Sequence, residues 1–283
     1  MELTKDWAAK YLPARPKNAN KGTFGKALVV AGSENYPGAA YLTCAACYRV
    51  GAGLVTLATE PSVKVIVSRK LPEVTFISFK EIFEDLVEYD VLLLGPGLGQ
   101  KTQAIRLTEQ LLKEQLPKTV IDGDGLNILS KTNKFFSSKI GEWWEKLGNK
   151  VILTPHLGEM ARLTGLTVKR IQSDRINVAQ YYAKKWNKIV VLKGANTIIA
   201  SPTGLLALSP FANPALSTAG TGDVLAGIIT GMLAQGLKPF DAASVGVFIH
   251  GLAGEQLRKK FGSAGALASD LLPLLPQVIK KLQ

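Results

Sequence analysis

The sequence has 283 residues, 47% hydrophobic and 20% charged, a composition that excludes intrinsic disorder and fibrous repeats. At roughly 150 residues per domain, such a length suits one large domain as well as two small ones. Lysine and arginine (34) exceed aspartate and glutamate (22), which gives a net charge of +12. The basic residues are spread along the chain rather than grouped in a block. The charge therefore favours a solvated surface that attracts anionic ligands over a dedicated nucleic-acid site.

The sequence pattern predicts neither a membrane span nor a secretion signal. Its apolar stretches fall short of the roughly 20 residues that a span needs, and Asp223 interrupts the most apolar one. The start of the chain has acidic side chains and no apolar core, unlike a signal peptide. Two cysteines, Cys44 and Cys47, cannot form a disulfide framework for this length, so we predict a cytoplasmic location. Because both lie in a predicted helix of small residues, we expect them to pack rather than to bind zinc.

Short apolar runs alternate with longer Ala-rich or amphipathic segments, a pattern typical of β-α units around a largely parallel sheet. The predicted strands are Ala27–Ala31, Leu54–Thr59, Thr75–Phe79, Val91–Leu94, Thr119–Asp122, Val151–Thr154 and Ile189–Leu192. The predicted helices are Ala39–Val50, Thr102–Glu114, Gly158–Leu163 and Ser173–Trp186. Thr197–Ala200 and Leu205–Leu208 flank a Ser-Pro-Thr-Gly turn and predict an antiparallel hairpin.

Beyond the hairpin, residues from Thr221 to Lys281 are predicted to be mostly helical. The sequence shows no internal repeat, low-complexity tract or linker. We therefore expect a single α/β domain over residues 1–283.

Glycine-rich or polar turns follow most of the predicted strands, at the edge where parallel sheets bind ligands. They are Gly32–Gly38, Gly95–Gly99, Asp122–Asn127, Thr154–Glu159 and Lys193–Thr197. Any one of them could be an ordinary connection, but so many at one edge predict a large ligand. The Gly95–Thr102 stretch fails the spacing of a phosphate-binding Walker loop and lacks the third glycine of the dinucleotide fingerprint, so a nucleotide must be held in another way.

The strongest local motif is Ala219-Gly220-Thr221-Gly222-Asp223, directly before an apolar helical run. Glycines allow the successive backbone amides of Ala219 to Gly222 to point at one anion, where the helix dipole adds to the attraction. Asp223 would stand beside that anion hole, which makes it a candidate general base for phosphoryl transfer. The alternative is a helix-start aspartate that only complements the dipole.

Two further strand ends carry candidate ligand contacts. Lys193-Gly194-Ala195-Asn196-Thr197 offers a charge, amides and a hydroxyl that suit a phosphate or a ribose, although a surface lysine before a turn is the alternative. His156 lies at a strand end, where it can contact a ligand or simply make local hydrogen bonds. His250 lies among apolar helical residues, so we expect a hydrogen-bonded core histidine.

No group of histidine, aspartate and glutamate has the spacing of metal ligands, so we expect no protein-held metal site. A metal would instead be Mg²⁺ that enters with phosphates.

Six motifs together resemble the ADP-dependent NAD(P)H-hydrate dehydratases, in order and rough spacing. They are Lys21–Lys26, Gly32–Ala39, Gly95–Gly99, Thr154–Glu159, Lys193–Thr197 and Gly220–Asp223. The resemblance implies a ribokinase-like three-layer sandwich, with a mostly parallel sheet and helices on both faces. It also implies an enzyme that dehydrates the S epimer of hydrated NADH or NADPH at the expense of ADP, releasing AMP and phosphate.

The resemblance assigns roles to particular positions. Ala39, Gly97, His156 and Asp223 would contact the hydrate, while Lys193, Gly194, Ala195, Asn196, Thr197 and Gly222 would hold the adenine nucleotide. Asp223 would deprotonate the ring hydroxyl, and the amides of Ala219, Gly220, Thr221 and Gly222 would stabilise the transferred phosphate. Ala219 departs from the family, whose members often have a further glycine there.

The resemblance further implies ADP as the phosphoryl donor with ATP as an alternative, Mg²⁺ as the metal, and a homo-oligomer such as a tetramer. Some relatives carry an N-terminal epimerase domain. Here the motifs begin at Lys21, so we expect use of the R form to depend on a separate NAD(P)H-hydrate epimerase in the same pathway or on spontaneous epimerisation. Neither a nucleic acid nor a membrane is expected as a partner.

Two other functions stay open on the residues alone. One is a kinase of the same superfamily for a small molecule such as a vitamin precursor, because Gly220–Asp223 would serve it equally well. The other is a non-catalytic nucleotide-binding or nucleic-acid-binding protein, supported only by the charge of +12. Thr154–Glu159 and Gly95–Gly99 favour the dehydratase, and aromatic residues are not interleaved with the basic ones as in single-strand binders.

Overall fold

The structure is a computed structural model that describes residues 1–132, 136 and 141–283. Its described strands form one nine-stranded sheet in the order β3-β2-β1-β4-β5-β6-β7-β8-β9. The strands are β1 (Lys26–Val30), β2 (Leu54–Ala58), β3 (Thr75–Ile77), β4 (Val91–Leu94), β5 (Lys118–Ile121), β6 (Val151–Leu153), β7 (Ile189–Leu192), β8 (Ile198–Ala200) and β9 (Leu206–Leu208). Strands β1 to β7 pair in parallel. Because seven strands run in one direction, the loops after them meet at one edge of the sheet.

Helices connect and cover these strands. Those of the described residues are α1 (Lys5–Tyr11), α2 (Pro37–Arg49), α3 (Pro61–Lys70), α4 (Ile82–Asp85), α5 (Thr102–Leu111), α6 (Asp124–Leu129), α7 (Trp143–Lys146), α8 (Leu157–Thr164), α9 (Val168–Ser173), α10 (Arg175–Trp186), α11 (Thr221–Ala234), α12 (Pro239–Phe261) and α13 (Leu275–Leu282). None of the described helices combines the length and the apolar character needed to cross a membrane.

The apolar strands are covered on both faces, as their continuous hydrophobic sequences predict. In β1, Ala27 and Val29 belong to a core with α2, α11 and α12. The alternating residues Leu28 and Val30 point to the other face, where they share a core with α5. The sheet is therefore the middle of three layers, which confirms the predicted α/β fold class.

Helix α11 lies against both α2 and α12 and is buried on nearly all sides. Two glycines allow its backbone to approach α2. A Cβ atom at Gly227 would lie 2.3 Å from the Thr43 carbonyl oxygen, and one at Gly231 would lie 2.4 Å from Val50 Cγ2. This close packing fixes the position of the helix whose first turn carries Asp223.

The predicted hairpin is present, since β7 and β8 are antiparallel, as are β8 and β9. Helix α2 begins at Pro37, earlier than predicted, because proline is favoured in the first helical turn. The predicted helix Ser173–Trp186 was wrong at its start. Asp174 has φ −148° and ψ 49°, which separates α9 from α10. Cys44 and Cys47 are buried free thiols within α2, and burial raises the pKa of both well above that of an ordinary thiol.

Candidate active site

The anion loop, residues Ala219 to Asp223, turns the chain into α11. Gly220 has φ 92°, and a Cβ atom there would lie 2.7 Å from Leu42 Cδ1, so this turn requires glycine. The Thr221 hydroxyl donates to the carbonyl oxygens of Leu216 at 2.7 Å and Thr218 at 2.9 Å, which fastens the loop to the preceding segment.

One of the four predicted anion-hole amides is already used. The Thr221 amide donates to the Thr218 carbonyl oxygen at 3.3 Å, so it serves the turn of the loop rather than an anion. Within the described residues, the amides of Ala219, Gly220, Gly222 and Asp223 donate to no protein acceptor. The prediction is therefore corrected at Thr221, and the Asp223 amide takes its place among the free donors at the start of α11.

The Asp223 carboxyl group has a perturbed pKa. Burial raises this pKa from 3.8 to about 7, and the negative charge of Asp122 adds to the effect, while the Lys193 ammonium opposes it. A carboxyl group that titrates near neutrality can accept a proton from a hydroxyl group and release it again at physiological pH. The environment of Asp223 thus suits the predicted general base.

Lys193 follows β7 and holds its ammonium among carboxylates. Its Nζ atom lies 2.6 Å from Asp122 Oδ1 and 3.7 Å from Glu159 Oε2. Burial alone would lower the pKa of Lys193, but the charges of Asp122 and Glu159 outweigh it and the pKa is raised. A Cβ atom at Gly222 would lie 3.5 Å from Nζ, so a permanent positive charge lies beside the anion loop.

The turn after Lys193 is braced by its own side chains. Thr197 Oγ1 donates to the Gly194 carbonyl oxygen at 2.9 Å, and Asn196 Nδ2 donates to Ser209 O at 3.1 Å. Asn196 has φ 51° and so occupies the left-handed region, which asparagine tolerates better than most residues. Arg175 donates to the Ala195 carbonyl oxygen from α10. These bonds hold the turn in place at the edge of a cavity.

This nucleotide cavity, as we call it, has a volume of about 440 Å³ and lies between the turn after β7, the segment after β9, and helices α11 and α12. Five of the six predicted nucleotide contacts line it: Lys193, Gly194, Ala195, Thr197 and Gly222. Asn196 is not among the lining residues and instead supports the turn from Ser209.

Sequence reasoning missed one wall of the nucleotide cavity. Phe211, Asn213 and Leu216 line it, and they come from the connection between β9 and α11. Asn213 Oδ1 accepts from the Ala215 amide at 2.9 Å, while its buried Nδ2 has no hydrogen-bond partner among the described residues. The signal that could have indicated this wall is the Phe-Ala-Asn-Pro sequence, an aromatic and an asparagine in a turn just before the anion loop.

His250 makes the hydrogen bond that the sequence predicts for a core histidine, but it also lines the nucleotide cavity. Its Nε2 atom lies 3.0 Å from the Thr221 carbonyl oxygen. Because a carbonyl oxygen only accepts, Nε2 carries the proton in this bond. Burial lowers the pKa of His250 to about 4, so the ring is neutral at physiological pH.

His156 caps the start of α8. Its Nδ1 accepts from the amides of Gly158 at 2.9 Å and Glu159 at 3.3 Å, and Glu159 Oε2 accepts from the His156 amide at 2.7 Å. Burial, together with the charges of Lys193 and Arg162, lowers the pKa of His156. The local hydrogen-bonding alternative is therefore present, and 53% of the side chain stays exposed for a ligand to contact.

Glu159 lies close to both the capping residue His156 and the ammonium of Lys193. Burial raises its pKa from 4.5 to about 7, Lys193 opposes the rise, and Asp122 adds to it. Its Oε1 atom lies 3.4 Å from His156 Nε2. A second carboxyl group with a near-neutral pKa therefore belongs to this edge of the sheet, which sequence reasoning did not single out.

Ala39 and Gly97 lie together at the carboxyl ends of β1 and β4. Gly97 has φ 59°, and a Cβ atom there would lie 2.6 Å from the Ala39 Cβ, so the glycine loop rests on the first turn of α2. Ser33 Oγ donates to the Gly97 carbonyl oxygen at 2.8 Å, and Asp124 Oδ2 accepts from the Gly99 amide at 2.8 Å. The Asp124 contact, which sequence reasoning missed, fixes the far end of this loop.

Among the residues that the structure describes, no group of three histidine, cysteine, aspartate or glutamate side chains is arranged to hold a metal ion. The charged groups at the site are paired with each other through Lys193 instead. Mg²⁺ bound through nucleotide phosphates stays a prediction.

The chain is similar to known proteins over nearly its whole length. The profile of the NAD(P)H-hydrate dehydratase family matches residues 27–277. The bifunctional NAD(P)H-hydrate repair enzyme Nnr of Moorella thermoacetica is 39% identical over 294 residues, covering 99% of this chain but 54% of that protein. The chain thus spans about half the length of the bifunctional relatives it matches.

A relative of matching length is the ADP-dependent (S)-NAD(P)H-hydrate dehydratase of Bacillus subtilis, 33% identical over 99% of this chain and 98% of that one. Its crystal structure, obtained with ATP/Mg²⁺, matches with a TM-score of 0.85 over 99% of this chain and 98% of that one. A ribokinase-like superfamily protein of Enterococcus faecalis, 30% identical, matches with a TM-score of 0.87 over 99% of this chain and 95% of that one. The fold is therefore ribokinase-like, and the chain belongs to the NAD(P)H-hydrate dehydratase family.

Proposed function

We propose that the protein is an ADP-dependent dehydratase for the S epimer of hydrated NADH and NADPH. One observation carries the proposal: Asp223, with a pKa of about 7, lies at the free amides of a helix start that opens on the nucleotide cavity. The choice of substrate is supported by the family match and by the name of the Bacillus subtilis relative.

The proposed reaction begins with phosphoryl transfer. Asp223 accepts the proton of the ring hydroxyl as that oxygen forms a bond to the β-phosphorus of ADP, and the bond to AMP breaks. The free amides of Gly222 and Asp223 and the Lys193 ammonium stabilise the negative charge on the transferred group. A hydroxyl is a poor leaving group, so its phosphorylation makes the next step easier.

Elimination completes the reaction. The carbon–oxygen bond breaks, phosphate departs, and the neighbouring ring carbon loses a proton to restore the dihydronicotinamide. Hydrate and ADP thereby give NAD(P)H, AMP and phosphate.

Ala39, Gly97 and the exposed part of His156 would contact the hydrate. The turn Lys193–Thr197 and Gly222 would hold the nucleotide, ADP or ATP, with the wall from Phe211 to Leu216. The Bacillus subtilis relative was crystallised with ATP/Mg²⁺. Because the described residues offer no metal cage, Mg²⁺ would neutralise phosphate charge while held by the nucleotide itself.

Several broader features belong to the proposal. Residues 1–283 would act as one ribokinase-like domain, because both halves of the chain supply site residues. A homo-oligomer such as a tetramer, a cytoplasmic location and an epimerase activity that converts the R form are proposed with it. The bifunctional names of several relatives support the coupling to epimerisation.

The decisive experiment supplies hydrated NADH and ADP to the purified protein. We expect dihydronicotinamide absorbance to recover while AMP and phosphate appear in equal amounts, and ATP is tested in a parallel reaction. Substrates purified as S and R epimers identify the stereochemical preference.

No recovery with either nucleotide would contradict the proposal. Phosphorylation of a vitamin precursor under the same conditions would then identify a small-molecule kinase instead.

A further inference from the structure

Four charged side chains from different elements meet beside the anion loop. Asp122 follows β5, Glu159 belongs to α8, Lys193 follows β7, and Asp223 lies in the first turn of α11. A nucleotide-binding role accounts for Lys193 alone and leaves the presence of Asp122 unexplained. Asp122 lines neither the nucleotide cavity nor the Ala39–Gly97 contact.

Asp122 is only 2% exposed, so its carboxylate needs partners to offset the loss of water. One oxygen, Oδ1, accepts from the Thr154 hydroxyl at 2.6 Å and from Lys193 Nζ at 2.6 Å. The Asp122 backbone is held as well, because its amide donates to the Leu94 carbonyl oxygen at 3.1 Å. A carboxylate fixed in this way is a rigid anchor for a lysine.

The Lys193 ammonium has three carboxylates within its electrostatic reach, namely those of Asp122, Glu159 and Asp223. Its shortest contact is to Asp122, while Glu159 lies at 3.7 Å. A lysine side chain is flexible and carries a compact charge, so it follows the strongest available partner. Without Asp122, the ammonium would lose its shortest contact and be drawn toward Glu159, its other ion-pair partner.

We propose that Asp122 is a positioning residue, which holds the ammonium of Lys193 beside Gly222 so that the charge meets the phosphates of the bound nucleotide. This inference rests on the proposed function, since it assumes an adenine nucleotide in the nucleotide cavity. Asp122 itself does not contact the nucleotide and acts through Lys193.

The test is a double-mutant cycle with Asp122→Asn and Lys193→Met, followed by calorimetric binding of ADP and of adenosine. Each single variant should weaken ADP binding by about tenfold, because one close charge interaction with a phosphate is lost or misplaced. Adenosine binding should change by less than about twofold, since adenosine has no phosphate for the ammonium to meet. The double variant should bind ADP no more weakly than Lys193→Met, because Asp122 has no role once the lysine is gone.

The matched control is Glu88→Gln, which breaks the exposed 3.2 Å ion pair with Lys26 at the opposite edge of the sheet. It should leave both affinities unchanged. If Asp122→Asn does not fold, Thr154→Val loosens the same anchor by removing its second donor, and it should weaken ADP binding in the same direction.

Three results would overturn the proposal: additive losses in the double variant, equal losses for ADP and adenosine, or unchanged ADP binding in Asp122→Asn. Binding is measured without turnover, so a protein that binds ADP as described but restores no NADH would contradict the proposed function and not this inference.

Discussion

Asp223 shows how a single residue trades stability for reactivity. Burial places its carboxyl group where the charged form is disfavoured, and the opposing charge of Lys193 does not fully compensate. The folded-state pKa of about 7 lies above the ordinary aspartate value of 3.8, so the folded protein holds this proton more tightly than the unfolded chain does. The contribution of this proton to the free energy of unfolding is therefore fully present below pH about 4 and is lost as the pH rises through about 7.

Replacing Asp223 with asparagine tests both sides of this trade. Asp223→Asn should retain ADP binding but lower kcat by about 10²-fold to 10⁴-fold, because no base accepts the hydroxyl proton. It should also raise Tm at pH 8 by a few degrees, with a smaller effect at pH 5, where the native carboxyl group is already protonated. Turnover kinetics and thermal melts at the two pH values provide the measurements. Near-normal turnover would contradict the role as base.

The pH profile of the unmodified protein gives a second, independent check. The base acts only when it is deprotonated, so kcat/KM should fall about tenfold per pH unit below the pKa of Asp223, near pH 7. Glu159, with a pKa of about 7, titrates over the same range, so the acidic limb reports the pair. Asp223→Asn should make this limb shallower in the residual activity, leaving only the contribution of Glu159. A rate that stays flat from pH 5 to pH 8 would argue against a carboxyl base.

At the scale of elements, the contact between helices α11 and α12 holds the anion loop in place. His250 on α12 donates to the carbonyl oxygen of Thr221, the first residue of α11. The two helices otherwise pack through small and apolar side chains, and this hydrogen bond ties the loop itself to the next helix. We infer that this hydrogen bond holds the free amides of Gly222 and Asp223 in position beside the nucleotide cavity.

Paired substitutions at His250 separate the hydrogen bond from the volume of the side chain. His250→Gln can still donate to the Thr221 carbonyl oxygen, whereas His250→Leu fills space without a donor. We expect His250→Leu to lower kcat/KM by about tenfold, corresponding to one lost hydrogen bond, and His250→Gln to recover most of it. Steady-state kinetics measure the difference, and Lys259→Gln on the exposed end of α12 serves as a control. Equal losses in both His250 variants would show that ring packing matters instead.

The sequence predicted best those strands and turns whose formation depends on residues close together in the chain. Continuous apolar runs placed β1 and β7, and the Ser-Pro-Thr-Gly turn placed the hairpin of β8 and β9. Helix α6 was missed because its six residues lie within a glycine-rich turn that hides any periodicity. At the site, motifs singled out Asp223 and Lys193, which lie beside the anion loop, and their roles stay predictions. The ion pair between Lys193 and Asp122 could not be predicted, because it depends on the order of the strands in the sheet.

The whole molecule carries a charge of +12, which invites a comparison between nucleotides and nucleic acids as ligands. At the described site the positive charge of Lys193 is matched by buried carboxylates, and the amides of Gly222 and Asp223 at the start of α11 are free to donate to a phosphate. Such a site discriminates by shape and by short-range hydrogen bonds. The remaining excess charge is distributed over the surface, where salt screens it within about 8 Å at physiological ionic strength.

The salt dependence of binding should therefore differ between the two ligand classes. ADP binding should weaken by less than about tenfold between 50 mM and 500 mM salt, because its phosphate contacts lie in a partly buried cavity where screening is weaker. Duplex DNA should bind no better than a typical non-specific ligand, with Kd above about 10⁻⁶ M at 150 mM salt, and its binding should vanish as salt is added. Calorimetry for ADP and a gel shift for DNA measure these values. Saturable DNA binding that is tighter than this limit and competes with ADP would mean that the surface charge has a dedicated polyanion partner.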